Sequence, residues 1–302
     1  MRYRLDRLRE RFGAFFKPDK RDERPRLCPA CRALVGSTAT KCHECGASMT
    51  YSLAAASQSL SGFLPSDFPV TYVVMAVNFM LFAVTMVASI QAGGQISMFG
   101  GVDGEVLHRL GAMWPYDILE NREWWRLVMP IFLHGGVMHI LFNSWVLADI
   151  GRQVEEIYGS PRYLFLYVMT GIGGFVVSML WGVLFQGGVR LSIGASGSLM
   201  GLIGLILAVS QRRGGNYMRM IRSQMLRWVV YVFVLGLFLG GDNAAHGGGL
   251  ASGYLLGRVF ADREPASGPE RKRAYLLGWI AGFIVVAAFG AVMTRRMAAP
   301  LP

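Results

Sequence analysis

From residue 70 onward the chain is a series of long apolar runs separated by mostly short, mostly Arg-bearing joints, with one unusually long one at 91–127. Segments 70–90, 163–185, 191–210 and 275–293 contain no Asp, Glu, Lys or Arg. At 1.5 Å per residue, runs of this length cross a bilayer as helices. Segments 128–150 and 244–260 are nearly as apolar but carry His134, His139, Asn143 and Asp149, and His246 and Arg258. A shorter run, 228–241, begins as early as Leu226. The pattern predicts seven spanning helices. Ahead of them, Leu5, Leu8, Phe12, Phe15 and Phe16 recur at helical spacing among Arg2, Arg4, Arg7, Arg9 and Arg11. That fits a basic amphipathic helix on anionic headgroups, or equally a solvated arm. Residues 51–69 are Ser- and Ala-rich, end in Pro65 and Pro69, and read as a linker. The expected organisation is an arm (1–24), a cysteine-bearing segment (25–50), the linker (51–69), a six-helix core (70–260), and a loop with a seventh helix (261–302).

Composition supports an all-α polytopic membrane protein. Charged residues are 16% of the 302 and hydrophobic ones 53%, against about 25% charged in soluble domains. This excludes an ordinary soluble or disordered chain. The net charge of +11 sits in clusters between the spans, so a bilayer and not a nucleic acid is the expected partner. The first 27 residues hold ten Lys/Arg and no apolar signal core, which leaves the N-terminus on the cytoplasmic side. With seven spans, the cytoplasmic segments then carry 24 Lys/Arg and the opposite ones six. The expected location is the plasma (inner) membrane. Segment 91–127, with Trp114, Trp124 and Trp125, is expected to lie partly in the interface.

All four cysteines fall in two Cys-x-x-Cys pairs, Cys28/Cys31 and Cys42/Cys45. Four thiolates suit tetrahedral zinc, and a segment this small needs metal to fold; a redox dithiol pair is the other reading. The reducing compartment favours a structural zinc ribbon, with a cytoplasmic protein as its possible partner.

Polar residues inside spans mark function by default. Here three helices run inward from the same face, and each carries its polar residues in its outer half: His134, His139 and Asn143, then Ser196, then His246. Ser196, five residues into its segment, is expected about 7.5 Å below the helix start. A serine hydroxyl becomes a nucleophile when a base takes its proton, and His246 is the available base. With no carboxylate at matching depth to orient the imidazole, a Ser–His dyad is expected. His139 and Asn143 share a helix face and, with the Ser196 N–H, can donate to an oxyanion. His134 braces the site at the helix mouth. His246, Gly249, Gly253 and Gly257 form one helix face that allows close approach, and Gly197, Gly201 and Gly204 give the Ser196 helix the same freedom.

These residues resemble the rhomboid family of intramembrane serine proteases over about residues 70–260. The resemblance is carried by Glu123-Trp124-Trp125-Arg126, by the His134–Asn143 segment with His139 between them, by Gly194-Ala195-Ser196-Gly197, and by Ala245-His246-Gly247-Gly248-Gly249 with Gly253. It implies a six-helix core, Ser196 as nucleophile, His246 as base, and His139, Asn143 and the Ser196 amide as the oxyanion hole. Gly194 is similar to the family glycine that shapes that pocket. No cofactor is implied for catalysis, and transmembrane proteins are the implied substrates. The family usually has an aromatic four residues after the serine to stack on the imidazole; this chain has Met200. A non-catalytic adaptor that binds transmembrane helices is the alternative. Zinc-protease His-Glu-x-x-His, the aspartyl Gly-x-Gly-Asp motif and the soluble Gly-x-Ser-x-Gly elbow all fail on the residues present.

Overall fold

A computed structural model describes residues 25–28, 30–49, 68–94, 101–185, 187 and 191–298, without the side chains of 296–298. The expected arm and most of the linker lie outside these residues. The chain divides into two compact units, residues 1–58 and 59–302.

In the first unit, β1 (Arg26–Leu27) pairs antiparallel with β2 (Leu34–Val35). Each cysteine pair forms a matching turn. The Cys28 N–H donates to Ala33 and its carbonyl accepts from Arg32; the Cys42 N–H donates to Ala47 and its carbonyl accepts from Gly46. Arg32 and Gly46, each just after the second cysteine of its pair, share positive φ values of 59° and 70°.

The second unit is helical and polytopic. Four of its helices are long and apolar enough to cross a membrane: α1 (Pro69–Gln91), α6 (Ser160–Phe185), α8 (Gly215–Leu239) and α10 (Gly268–Ala298). Between α1 and α6 come the short helices α2 (Gly104–Arg109) and α3 (Pro115–Leu119), and two 3₁₀ turns, Trp124–Leu127 and Met129–Phe132. Then α4 (Val137–Val146) runs through a π-turn (Leu147–Gly151) into α5 (Arg152–Tyr158). The remaining helices are α7 (Ser196–Arg213) and α9 (Asn243–Val259).

Helix α7 is the hub. Every residue from Gly197 to Ser210 is buried, the signature of a helix enclosed on all sides. It packs against α6, α8 and α9. Its contact with α9 is nearly backbone on backbone: a methyl group on Gly249 would fall 2.0 Å from the Gly197 carbonyl oxygen, and one on Gly253 1.9 Å from that of Gly201. Such glycine seams let dispersion and short-range polar contacts replace the hydrophobic effect, which is weak between helices in lipid. Helix α10 lies along α6, with Gly278 against Pro161, and reaches the 3₁₀ turns through Phe289 on Phe132 (5.8 Å between rings).

Two buried charges tie elements together. Glu155 of α5 accepts from the N–H groups of Val70 and Thr71 (3.0 and 2.9 Å) and from the hydroxyls of Thr71 and Ser160. It thereby satisfies the open first turn of α1. Arg126 meets Glu123 (2.5 Å), Asp117 (3.2 Å) and the carbonyls of His108 and Ala112. Glu123 also receives Arg295 of α10 at 2.6 Å. The segment before α4 is thus an ordered knot of ion pairs, with Trp124 and Trp125 edge to face beside it.

Among the described residues, seven helical stretches stand where seven spans are expected; the last begins at Gly268, not at 275, and three others are also corrected. The second begins at Val137, not at 128, because Pro130 and Gly135-Gly136 favour tight turns and extended chain over helix. The fourth begins at Ser196, not at 191: Gly194 has φ 121°, outside any helix, and Ser192 pairs with Met113 in an extended bridge. The fifth reaches back to Gly215, since Arg219, Arg222 and Arg227 continue the same helix beyond its apolar part.

Candidate active site

Ser196 is the first residue of α7. The expectation that it lies five residues into a helix is therefore corrected: the serine stands at a helix N-terminus. The first-turn N–H groups have no intrahelical acceptors there and carry the positive end of the helix dipole. His246 lies one turn into α9, whose start is capped by Asp242 accepting from the Ala245 N–H (3.0 Å). The glycine seam brings these helices together, and His246 Nε2 stands 2.9 Å from Ser196 Oγ across 50 residues of sequence. His246 is 5% exposed.

On α4, His139 and Asn143 follow one turn apart. The Gly135 N–H donates to His139 Nδ1 at 3.4 Å. A neutral imidazole has one N–H, so this contact places it on Nε2. Gly194 lies against that nitrogen: a methyl group there would sit 2.7 Å from His139 Nε2 and 3.6 Å from Ser196 Oγ. The space in front of Gly194 is therefore shared by a nitrogen donor and the hydroxyl. Asn143 is buried, and its amide nitrogen has no protein acceptor. His134 is fully buried and packs edge-on against His139, 5.1 Å between rings. Gly197 lies in the seam and gives α9 its approach.

Two partners of the imidazole were not expected from sequence. Asn243 Oδ1 lies 3.0 Å from His246 Nδ1, so the imidazole has an orienting acceptor after all. The i, i+3 spacing of Asn243 and His246 was the available signal, but Asp242-Asn243 ahead of an apolar run reads first as a helix cap. Asp242 also accepts from Ser178 of α6 and from Ser192 (2.5 Å), tying the chain before Gly194 to the start of α9. In addition, the ring against the imidazole is Phe233 of α8, edge-on at 6.0 Å. Met200, at the position where the family usually has an aromatic, is buried in the core.

Residues 121–263 match the family model of the Rhomboid domain. This chain belongs to the rhomboid family. Its rhomboid domain is similar to RHOMBOID-like protein 5 of Arabidopsis thaliana, 34% identical over 209 residues, 62% of this chain and 66% of that protein. It is also similar to the Rhomboid protease GluP of Bacillus subtilis, 31% identical over 175 residues, 58% of this chain and 33% of that one. A third relative is the Rhomboid-type serine protease 2 of Emericella nidulans, 36% identical over 153 residues, 49% of this chain and 29% of that one. The matched part of the chain thus spans from 29% to 66% of these relatives' own lengths. Ser196, His246, His139, Asn143 and Gly194 all fall inside the rhomboid domain.

In the first unit, the four cysteine sulfurs lie within 4.8 Å of one another, with Cys28–Cys45 and Cys31–Cys42 each at 3.6 Å. That is too long for disulfides at about 2.05 Å. It is close to the edge, about 3.8 Å, of a tetrahedron with Zn–S bonds of about 2.3 Å. Burial pushes the Cys31 thiol up to about 12. At Cys42 burial acts in the same direction but is outweighed by N–H donors of Cys45 and Glu44, which bring it down to about 6. Four thiolates so close repel one another, and a divalent cation relieves that repulsion.

Proposed function

We propose that this chain is an intramembrane serine endopeptidase that cleaves transmembrane segments of other membrane proteins. The observation that carries the reading is the 2.9 Å contact between Ser196 Oγ and His246 Nε2, made by residues on two apolar helices. In this reading His246 takes the hydroxyl proton as Ser196 attacks the scissile carbonyl. The carbonyl oxygen becomes an oxyanion in front of Gly194, where His139 Nε2–H, the Asn143 amide and the first N–H groups of α7 donate to it. His246 then hands its proton to the leaving amine, and water hydrolyses the acyl-enzyme by the reverse sequence. The peptide must be extended to reach the serine, so segments with small or helix-breaking residues are favoured. His134 holds the His139 ring, and Gly194 leaves room for the oxyanion.

The charge distribution supports an inner (plasma) membrane location with a cytoplasmic N-terminus and the site opening toward the opposite face. In the first unit, Cys28, Cys31, Cys42 and Cys45 hold a structural Zn²⁺, which supplies folding energy and takes no part in hydrolysis; a cytoplasmic protein is the partner such a ribbon fits.

The test is cleavage of a single-span model substrate by the purified protein in proteoliposomes, alongside labelling by a serine-directed fluorophosphonate. Ser196→Ala is expected to abolish labelling and lower cleavage by at least about 10³-fold. Undiminished cleavage in that variant removes Ser196 as nucleophile. A wild-type protein that binds the substrate but neither cleaves nor labels is the helix-binding adaptor instead.

A further inference from the structure

We propose that Asn243 is a positioning residue for the base: its side-chain oxygen holds the N–H of His246 on Nδ1 and so turns the Nε2 lone pair toward Ser196. The inference rests on the protease reading above and adds a third member to the pair. Its first support is the identity of the amide's other partner. Asn243 Nδ2 donates to the backbone carbonyl of Phe233 at 3.1 Å. A carbonyl only accepts, so the amide must present its nitrogen there and its oxygen to His246 Nδ1, 3.0 Å away. An oxygen also only accepts, so Nδ1 carries the proton. A neutral imidazole has one N–H, and Nε2 is left as an acceptor 2.9 Å from Ser196 Oγ. The opposite tautomer would set an N–H against the hydroxyl and leave no base.

The second support is the room made for the amide. A methyl group on Gly236 would lie 2.3 Å from Asn243 Oδ1, so a side chain at 236 would displace the amide. The turn from α8 to α9 is kept tight by the Gly241 N–H donating to the Gly236 carbonyl (2.7 Å) and by Gly240 in the left-handed region at φ 71°. Phe233 thus contributes twice, its carbonyl to the amide and its ring edge to the imidazole. The base is therefore oriented by a neutral amide of its own helix, which the Phe233 carbonyl of α8 holds in place. Asp242, the residue before Asn243, accepts from Ala245, Ser178 and Ser192. His139 is a further titratable group near His246.

Asn243→Ala and Asn243→Asp separate this role from a structural one. Both lose the donor to Phe233, but the carboxylate can still accept from Nδ1–H. The readouts are the rate of Ser196 phosphonylation, kcat and KM against pH, and Tm. Asn243→Ala is expected to lower phosphonylation and kcat about 10- to 100-fold, with KM within about twofold of wild type. Asn243→Asp is expected to recover part of that loss at alkaline pH, with the acidic limb of its rate profile displaced upward by about one unit, because the carboxylate favours the imidazolium. Equal losses in Tm with unchanged rates and limbs would overturn the inference and leave the protease reading standing. A wild-type protein that does not react with phosphonate overturns both. Should Asn243→Ala not fold, the ¹⁵N shifts of His246 in the wild-type protein decide: a protonated Nδ1 is expected, and a protonated Nε2 overturns the proposal.

Discussion

At the scale of single residues, the proposed chemistry turns on a few atoms whose surroundings differ sharply. Gly194 adopts φ 121° and lies where any side chain would press on His139 Nε2 at 2.7 Å. Gly194→Ala therefore suffers both backbone strain, about 1–2 kcal/mol, and a blocked oxyanion space. The expected outcome is at least a 100-fold loss of phosphonylation with only a modest fall in Tm. Normal labelling would show that the space in front of residue 194 is not where charge develops. Ser196, His246 and Gly194 were legible because their residue types stand in short motifs. The role of Asn243 was not: a polar residue at a helix start has a local explanation, and only the approach of α8 shows that its amide faces an imidazole.

At the scale of elements, the α7–α9 seam sets the distance between serine and histidine. Gly253→Ala places a methyl group 1.9 Å from the Gly201 carbonyl, and neither backbone can yield without moving a helix. A loss of about 3 kcal/mol or more is expected, seen as a drop in Tm of about 6–12 °C, together with weaker labelling as Ser196 and His246 separate. Gly282→Ala on α10 meets nothing within 4 Å and is expected to leave Tm and labelling unchanged. The pair is measured by thermal denaturation in one detergent; equal effects would remove the seam as the determinant. The glycine periodicity of α9 was readable in sequence because a 3.6-residue period puts these positions on one face. The true starts of α4 and α7 were not readable from hydropathy, since 128–136 and 191–195 are as apolar as the helices they precede. Their backbones leave the helix because of Pro130, Gly135, Gly136 and Gly194, and the extended stretch at Ser192 pairs with Met113 far away in sequence.

At the scale of the whole molecule, the two units rest on different physics. The rhomboid domain is held by packing within a buried core, while the first unit, with two-residue strands, has too little apolar area to fold on its own. Chelation of the purified protein is expected to release one Zn²⁺ per chain and abolish the structure of residues 25–49, while phosphonate labelling of Ser196 persists. Metal analysis, limited proteolysis and labelling on one sample check this. Because burial holds the Cys31 proton up to about 12, zinc must displace it. Affinity is then expected to rise with pH and to fall in mild acid. Full metal content after replacing Cys28 and Cys42 with Ser would contradict the assignment.

What the sequence determined by itself was the solvent and the reagents. Long uncharged runs have no stable home in water, four cysteines at metal-ligand spacing suit a metal ion, and Ser, His and Asn inside apolar helices are costly enough to mark function by default. What only the tertiary structure decided was distance and direction. Which nitrogen of an imidazole carries its proton, and which backbone comes near enough to hold an amide, depend on contacts between residues tens of positions apart. No local pattern specifies those contacts until the helices have packed.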